Sequence, residues 1–363
     1  MKISDVKFDC RFFRGTIPCK PNKTEDVHCV DDYSDCKFYE KTEKNILIIK
    51  LGAIGDVIRT TPLFTRLKKE NTTAKFFWLT LTPDVVPEEV DTILKFDFES
   101  TLYLNQVEFD IAINLDKDHE ACALFSNISA KNKFGFTLKN GSPYPVNVLA
   151  EHKFLTGIFD DLNKTNKKNY LEEIFEICNL EFRGEKYYLD SFENISQKWD
   201  LDYSKKIVGL NTGCGGRWTS RLWAENNWID LAKQLISKDY EVIFLGGELE
   251  HEKNKRLSEL SGGKYFGTFP LKTFINLVNQ VDLVVTAVTM AMHITLGLNK
   301  KIVLFNNIFN KYEFELYGLG EIIESENECT CFFSAKCKNK DYNCMDSLYP
   351  QKVLDSVIKY LPQ

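Results

Sequence analysis

An α/β chain of two doubly wound domains is the fold class this sequence predicts, and three observations carry the prediction. Asn45 to Leu67 reads as a short apolar strand, Ile46 to Ile49, then a glycine-bearing turn, Leu51-Gly52-Ala53-Ile54-Gly55, then a helix with Val57, Leu63, Phe64 and Leu67 on one face. A second strand, Lys206 to Asn211, runs into a loop with three glycines, Thr212-Gly213-Cys214-Gly215-Gly216. Around both, short apolar runs alternate with stretches of helical spacing. A length of 363 residues with 44% hydrophobic content supplies two cores of ordinary size.

The elements follow in order. Residues 1–40 form a Cys-bearing, turn-rich segment whose weak apolar pattern calls for a staple. The first domain is expected over 41–190. Pro62 falls early in its opening helix, where proline bends a helix at most slightly. Strands are expected at Lys75 to Thr80, Asp110 to Leu115 and Phe134-Gly135-Phe136, with helix near Val86 to Leu94. Over 150–180, Phe154, Ile158, Leu162, Leu171, Ile174, Phe175 and Cys178 recur at helical spacing. Gly184, Ser191, Asn194 and Ser196 suggest a linker between about 183 and 204. The second domain is expected over 205–345, with further strands at Glu241 to Leu245, Asp282 to Val285 and Lys301 to Phe305. Helices lie near Glu225 to Ser237 and Leu271 to Asn279. An amphipathic helix, Gln351 to Leu361, closes the chain within segment 350–363.

A net charge of −6 argues against a nucleic-acid coat, and the run Lys164-Thr165-Asn166-Lys167-Lys168 reads as a solvated face. No apolar run approaches the roughly 18 residues a membrane helix needs, and MKISDVKFDCRFFRG lacks the apolar centre of a signal peptide. A cytoplasmic protein is expected, with peripheral contact at the inner membrane face left open by 27 Phe and 15 Tyr.

Eleven cysteines in such a chain point to metal ligation before disulfides. Cys329-x-Cys331-x5-Cys337-x6-Cys344 places four thiols within sixteen residues, enough for one tetrahedral ion, zinc or iron. A closed four-thiolate site has no open position, so its role is structural. Cys10, Cys19, Cys29 and Cys36 form a second, weaker set without a Cys-x-x-Cys pair, in which His28 could replace one thiolate. Inert buried thiols are the alternative there.

Several polar residues stand at strand ends, where such sheets bind ligands. Asp56 follows the first glycine turn, as a helix cap or as a base. Asp116 or Asp118 could bond sugar hydroxyls or cap the segment from Glu120. Arg217 and Arg221 follow the second glycine loop with fork geometry suited to phosphate. Glu248 and Glu250 follow Gly246-Gly247, and Thr286-Ala287-Val288-Thr289-Met290-Ala291-Met292-His293 follows a strand. His293 by itself would more often be a packed core histidine.

IKLGAIGDVIRTTPL resembles the N-terminal signature of glycosyltransferase family 9, the ADP-heptose heptosyltransferases. The resemblance covers roughly residues 45 to 325 and implies the GT-B architecture, two Rossmann-like domains facing across a cleft, with the final helix packing back on the first domain. It implies an inverting transferase with Asp56 as base and Gly52 and Gly55 shaping the acceptor side with Asp116. By the same resemblance the donor diphosphate is held by Thr212, Gly213, Arg217 and Arg221, and by the helix opening at Thr286, Thr289, Met290, Ala291 and His293. Glu248 or Glu250 would take the ribose. No catalytic divalent metal is then required. The donor would be ADP-heptose and the acceptor a glycan, lipid-linked core or protein. The cysteine clusters are similar in kind to those of a metal-binding subgroup. Val288 departs from the acidic residue usual at its place, which leaves room for a nucleotide-binding metalloprotein with redox-sensing cysteines and no transferase activity. An epimerase or hydrolase acting on a nucleotide sugar is a third reading.

Overall fold

The computed structural model describes residues 2–31 and 34–363. The chain divides into two compact units. One holds residues up to Gly52, Leu63–Glu151 and Glu176–Leu180; the other holds Ala53–Pro62, His152–Phe175 and Glu181–Gln363.

In the first unit, β1 (Val30–Asp31) and β2 (Ser34–Asp35) pair antiparallel as a two-stranded sheet. A six-stranded sheet follows: β3 (Lys44–Ile49), β4 (Ala74–Thr80), β5 (Thr92–Lys95), β6 (Glu108–Asn114), β7 (Ser129–Lys139) and β8 (Ser142–Pro145). Its order is β5-β4-β3-β6-β7-β8, parallel except for β8 against β7. Ile46 to Ile49 are fully buried because helices cover both faces of a parallel sheet, which is why β3 reads as a continuous apolar run. Leu47, Phe77, Phe109 and Phe125 centre one side of this core.

The second unit carries β9 (Ile207–Asn211), β10 (Glu241–Leu245), β11 (Leu283–Ala287), β12 (Lys301–Phe305) and β13 (Gly320–Ile323), all parallel in the order β10-β9-β11-β12-β13. The direction of winding reverses between β9 and β11, so their carboxyl ends, Asn211 and Ala287, flank a switch point where such folds bind ligands.

Several expected elements are corrected. The apolar spacing at Val85, Val86 and Val90 mimics a helix, but Pro83 and Pro87 interrupt it. A 3-10 turn, Pro83–Val85, leads instead to β5, which pairs with β4. The helix after the first glycine turn is two helices, Ile54–Ile58 and Thr61–Glu70, and Pro62 opens the second rather than bending one. Segment 150–180 holds three helices, Glu151–Thr156, Asp160–Thr165 and Tyr170–Ile177, and most of it belongs to the second unit. Buried Glu173 gathers them by bonding Lys153 at 2.5 Å, Thr156 at 3.1 Å and Asn166 at 3.2 Å. The expected linker is no free tether, because Tyr187, Leu189 and Trp199 are buried. Trp199 donates its indole N–H to Asn276 at 2.8 Å. The closing helix, Pro350–Tyr360, buries Val353, Leu354 and Val357 with Trp228 and Phe305 in the second unit's own core, where a return to the first domain was expected.

Candidate active site

Asp56 lies in the short segment that joins the second unit. It is the third residue of helix Ile54–Ile58, and its carboxylate reaches back to accept the Ala53 N–H at 3.2 Å. Its other oxygen pairs with Arg59 at 2.9 Å. Arg59 is part-buried, holds its guanidinium carbon 3.5 Å from the centroid of the Tyr170 ring and bonds Glu313 at 2.8 Å. Burial disfavours its charge, but the two carboxylates outweigh burial and hold it protonated. Asp56 is therefore one end of a carboxylate–guanidinium–carboxylate string, open to solvent over about a third of its side chain (32%).

His293 stands against this helix. A Cβ on Gly55 would come within 2.3 Å of the imidazole Cδ2, so only glycine permits the approach. His293 is buried and stacks on Tyr187 at 6.0 Å between centroids, and its Nδ1 has no hydrogen-bond partner among the described residues. Burial foremost, and then Arg59, push its pKa down to about 3, so the ring is neutral at physiological pH.

Asp56, Arg59, His293, Val288 and Glu313 line a cavity of about 430 Å³ whose remaining wall includes Trp218, Phe309, Phe314 and Phe333. A second cavity of about 470 Å³ adjoins it, lined by Asn211, Gly213, Glu250, Phe269, Leu271, Phe274 and Ala291. The two share Ile54, Arg221, Thr289 and Met290. Thr289 caps helix Met290–Gly297 by accepting the Ala291 N–H at 3.2 Å, and Asn211 ties Thr289 to Thr286. Arg221 is held by the carbonyl of Cys214 at 3.0 Å and lies over Phe309. Burial lowers its pKa to about 10, which leaves it charged at neutral pH. A cation and the positive end of a helix thus meet where the cavities join.

Not every expected residue reaches these cavities. Arg217 is exposed against Trp218 and lines neither. Thr212 and Thr286 are buried behind the wall, Thr212 bonding Asn254 at 2.5 Å. Of the two glutamates, Glu250 lines the second cavity. It packs so closely that a Cβ on Gly213 would meet its Cδ at 2.4 Å. Glu248 accepts from Thr268 at 2.6 Å outside it. In the first unit, buried Asp116 is bonded to Lys50 and to the Leu51 N–H. Burial raises its pKa, and its carboxylate serves that internal pair rather than a surface. Gly52 accepts from the same Lys50 at 2.8 Å. Arg59, Glu313 and Trp218 are site residues that sequence reading passed over. Arg59 alone carried a signal, one helical turn from Asp56.

Cys331 and Cys337 place their sulfurs 3.9 Å apart, about the spacing of two thiolates on one tetrahedral ion with bonds near 2.3 Å. Cys329 neighbours both Cys331 and Cys344. The Lys338 N–H donates to the Cys331 sulfur at 3.0 Å; burial opposes the thiolate, but this and the Asn339 amide hold the thiol below its ordinary value. The donor set fits an ion. Among the described residues, no three or more His, Cys, Asp or Glu side chains are already arranged around one. Cys10, Cys19, Cys29, Cys36 and His28 all line one cavity of about 380 Å³ in the first unit.

Among curated proteins none matches the sequence. Solved structures match over most of the chain. A family 9 glycosyltransferase from Veillonella parvula is 16% identical with a TM-score of 0.67, covering 89% of this chain and 98% of that one. The heptosyltransferase WaaC of E. coli, solved with ADP-2-deoxy-2-fluoro heptose, is 14% identical with a TM-score of 0.60, covering 87% and 99%. The iron-containing dodecameric glycosyltransferase TibC of enterotoxigenic E. coli is 10% identical with a TM-score of 0.57, covering 88% and 76%. These likenesses show the fold, an α/β architecture of the GT-B type. The sequence model described as "Glycosyltransferase family 9 (heptosyltransferase)" matches residues 101–343, a span that takes in Arg221, Glu250, Thr289 and His293. With more than half of its length matched, the chain belongs to glycosyltransferase family 9, the heptosyltransferase family, and is a glycosyltransferase.

Proposed function

We propose that the protein transfers a heptosyl group, with inversion, from ADP-heptose to a hydroxyl of a glycan, lipid-linked core or protein acceptor. One observation carries the reading: two adjoining cavities share Arg221 and Thr289, with Asp56 in one and Glu250 in the other. The nucleoside takes the second cavity, its base against Phe269, Leu271 and Phe274 and its ribose on Glu250. The diphosphate sits at the junction, where Arg221 and the N-terminus of helix Met290–Gly297 stabilise the charge that grows as ADP departs. The glycosyl group then lies beside Asp56, which removes the proton of the incoming hydroxyl as that oxygen attacks the anomeric carbon. Arg59 and Glu313 position that carboxylate. The ligand of WaaC supports an adenosine diphosphate donor.

The thiols of Cys329, Cys331, Cys337 and Cys344 would hold a structural ion, zinc or iron, which the iron of TibC supports. The ion would fasten the loop and takes no part in the transfer. Cys10, Cys19, Cys29 and Cys36, with His28, would hold a second. All eleven cysteines are free thiols, which fits a reducing compartment. Among the described residues no helix is long and apolar enough to cross a membrane; we place the reaction in the cytoplasm, with acceptor delivery at the inner membrane face for a lipid-linked acceptor.

Asp56→Asn tests the reading. The variant is expected to bind ADP as tightly as the wild type in calorimetry while acceptor-dependent ADP release from ADP-heptose falls by about 100-fold or more. Undiminished turnover removes Asp56 from the role of base.

A further inference from the structure

Phe333 sits between Cys331 and Cys337 in the four-cysteine loop, yet its ring lines the cavity that holds Asp56. Its φ is +47°, a left-handed conformation that a bulky aromatic residue adopts at a cost. Two bonds fix that geometry, Phe333 N–H to the Ile308 carbonyl at 2.8 Å and Ser334 N–H to the Cys331 carbonyl at 3.0 Å. The ring stands edge-on to Trp218 at 5.3 Å and to Phe309 at 5.5 Å, and those two meet at 5.6 Å. Despite these contacts Phe333 stays 47% exposed, so the strained backbone holds an aromatic face open rather than burying it. The loop is tied to the Arg221 segment as well, since Ser220 donates its hydroxyl to the Ser334 carbonyl at 2.7 Å.

Three mutually edge-on rings and Val288 line the cavity together with the charged Asp56 and Arg221, and Arg221 itself lies over Phe309. That mixed lining suits a pyranose whose C–H face packs on aromatic carbon while its reacting centre and phosphate meet the charges. We infer that Phe333 is a specificity-determining residue: carried in by the four-cysteine loop, it packs against the glycosyl ring of the nucleotide-sugar donor. The inference rests on the transferase reading above and adds the surface that selects the donor's sugar, formed by a loop whose cysteines would otherwise serve only its fold.

Calorimetric titration with ADP and with ADP-heptose separates the two claims. Phe333→Ala is expected to weaken ADP-heptose about five-fold, the loss of one aromatic contact, while ADP stays within about two-fold of wild type, and Phe333→Leu to fall between. The unchanged ADP affinity also reports an intact fold. Equal losses for both ligands, or no loss for ADP-heptose, overturn the inference and leave the transferase reading standing. A wild-type protein that binds neither ligand overturns the transferase reading and this inference with it.

Discussion

At Asp56, Arg59 and Glu313 two carboxylates share one part-buried guanidinium, and neutral His293 packs beside them behind Gly55. The imidazole's depressed pKa makes a pH prediction. An unfolded histidine takes up its proton below about 6.5, whereas the buried ring does so only near 3. Between those values the unfolded chain binds more protons, so stability falls as pH drops through the window and is complete above 6.5. The full contribution is on the order of a few kcal/mol. The melting temperature of the wild type is expected to fall between pH 6.5 and 4, and His293→Phe to flatten that slope. An unchanged slope would show that the ring already carries its proton when folded. Asp56 was legible as a candidate because it follows a glycine turn at a strand end, and Thr289 and His293 through the resemblance to the family motif. Glu313 was not, because 254 residues separate it from Arg59 and nothing local marks the pair.

Elements were read best where one local rule governs them. Strands β3, β4, β6, β9, β10, β11 and β12 announce themselves as short apolar runs because both faces are covered. The stretch at Val86 to Leu94 misled because its buried valines repeat like a helix while its prolines and the edge of β4 make it a turn and a strand. The four-cysteine loop has no regular structure before Cys344, which opens a 3-10 turn, and its thiols were legible from spacing alone. Its prediction is compositional. Purified protein is expected to carry zinc or iron at about one equivalent for this site by elemental analysis. Replacing Cys331 by Ser should remove most of it while a Cys122→Ser control retains it. Equal metal in both would assign the ion elsewhere.

Across the whole molecule, every residue proposed to touch the donor belongs to the second unit, including the Ala53–Pro62 segment that follows β3. The last boundary between the units falls at 180/181, near the expected division at about residue 190, but two earlier segments cross it. Chain order sets the strands of each sheet, but segments 53–62 and 152–175 are grouped by what they pack against. ADP at a hundredfold excess over its dissociation constant is expected to stabilise the protein by about 2.7 kcal/mol. Protection from hydrogen exchange should rise at 211–221, 246–250 and 289–293 and stay unchanged at β5. Protection confined to the first unit would move the nucleotide out of the proposed cavities.

The sequence by itself determined the α/β class, the two parallel sheets, the strand ends that bear ligand groups and the family signature. Each of these rests on local periodicity or on residues a few positions apart. Only the tertiary structure chose Glu250 over Glu248, withdrew Asp116, Arg217 and Thr212 from the cavities, joined Glu313 to Arg59, and brought Phe333 of a cysteine loop into the wall of the cavity that holds Asp56. Those choices depend on which side chains packing leaves facing a common space, and no spacing along the chain encodes that.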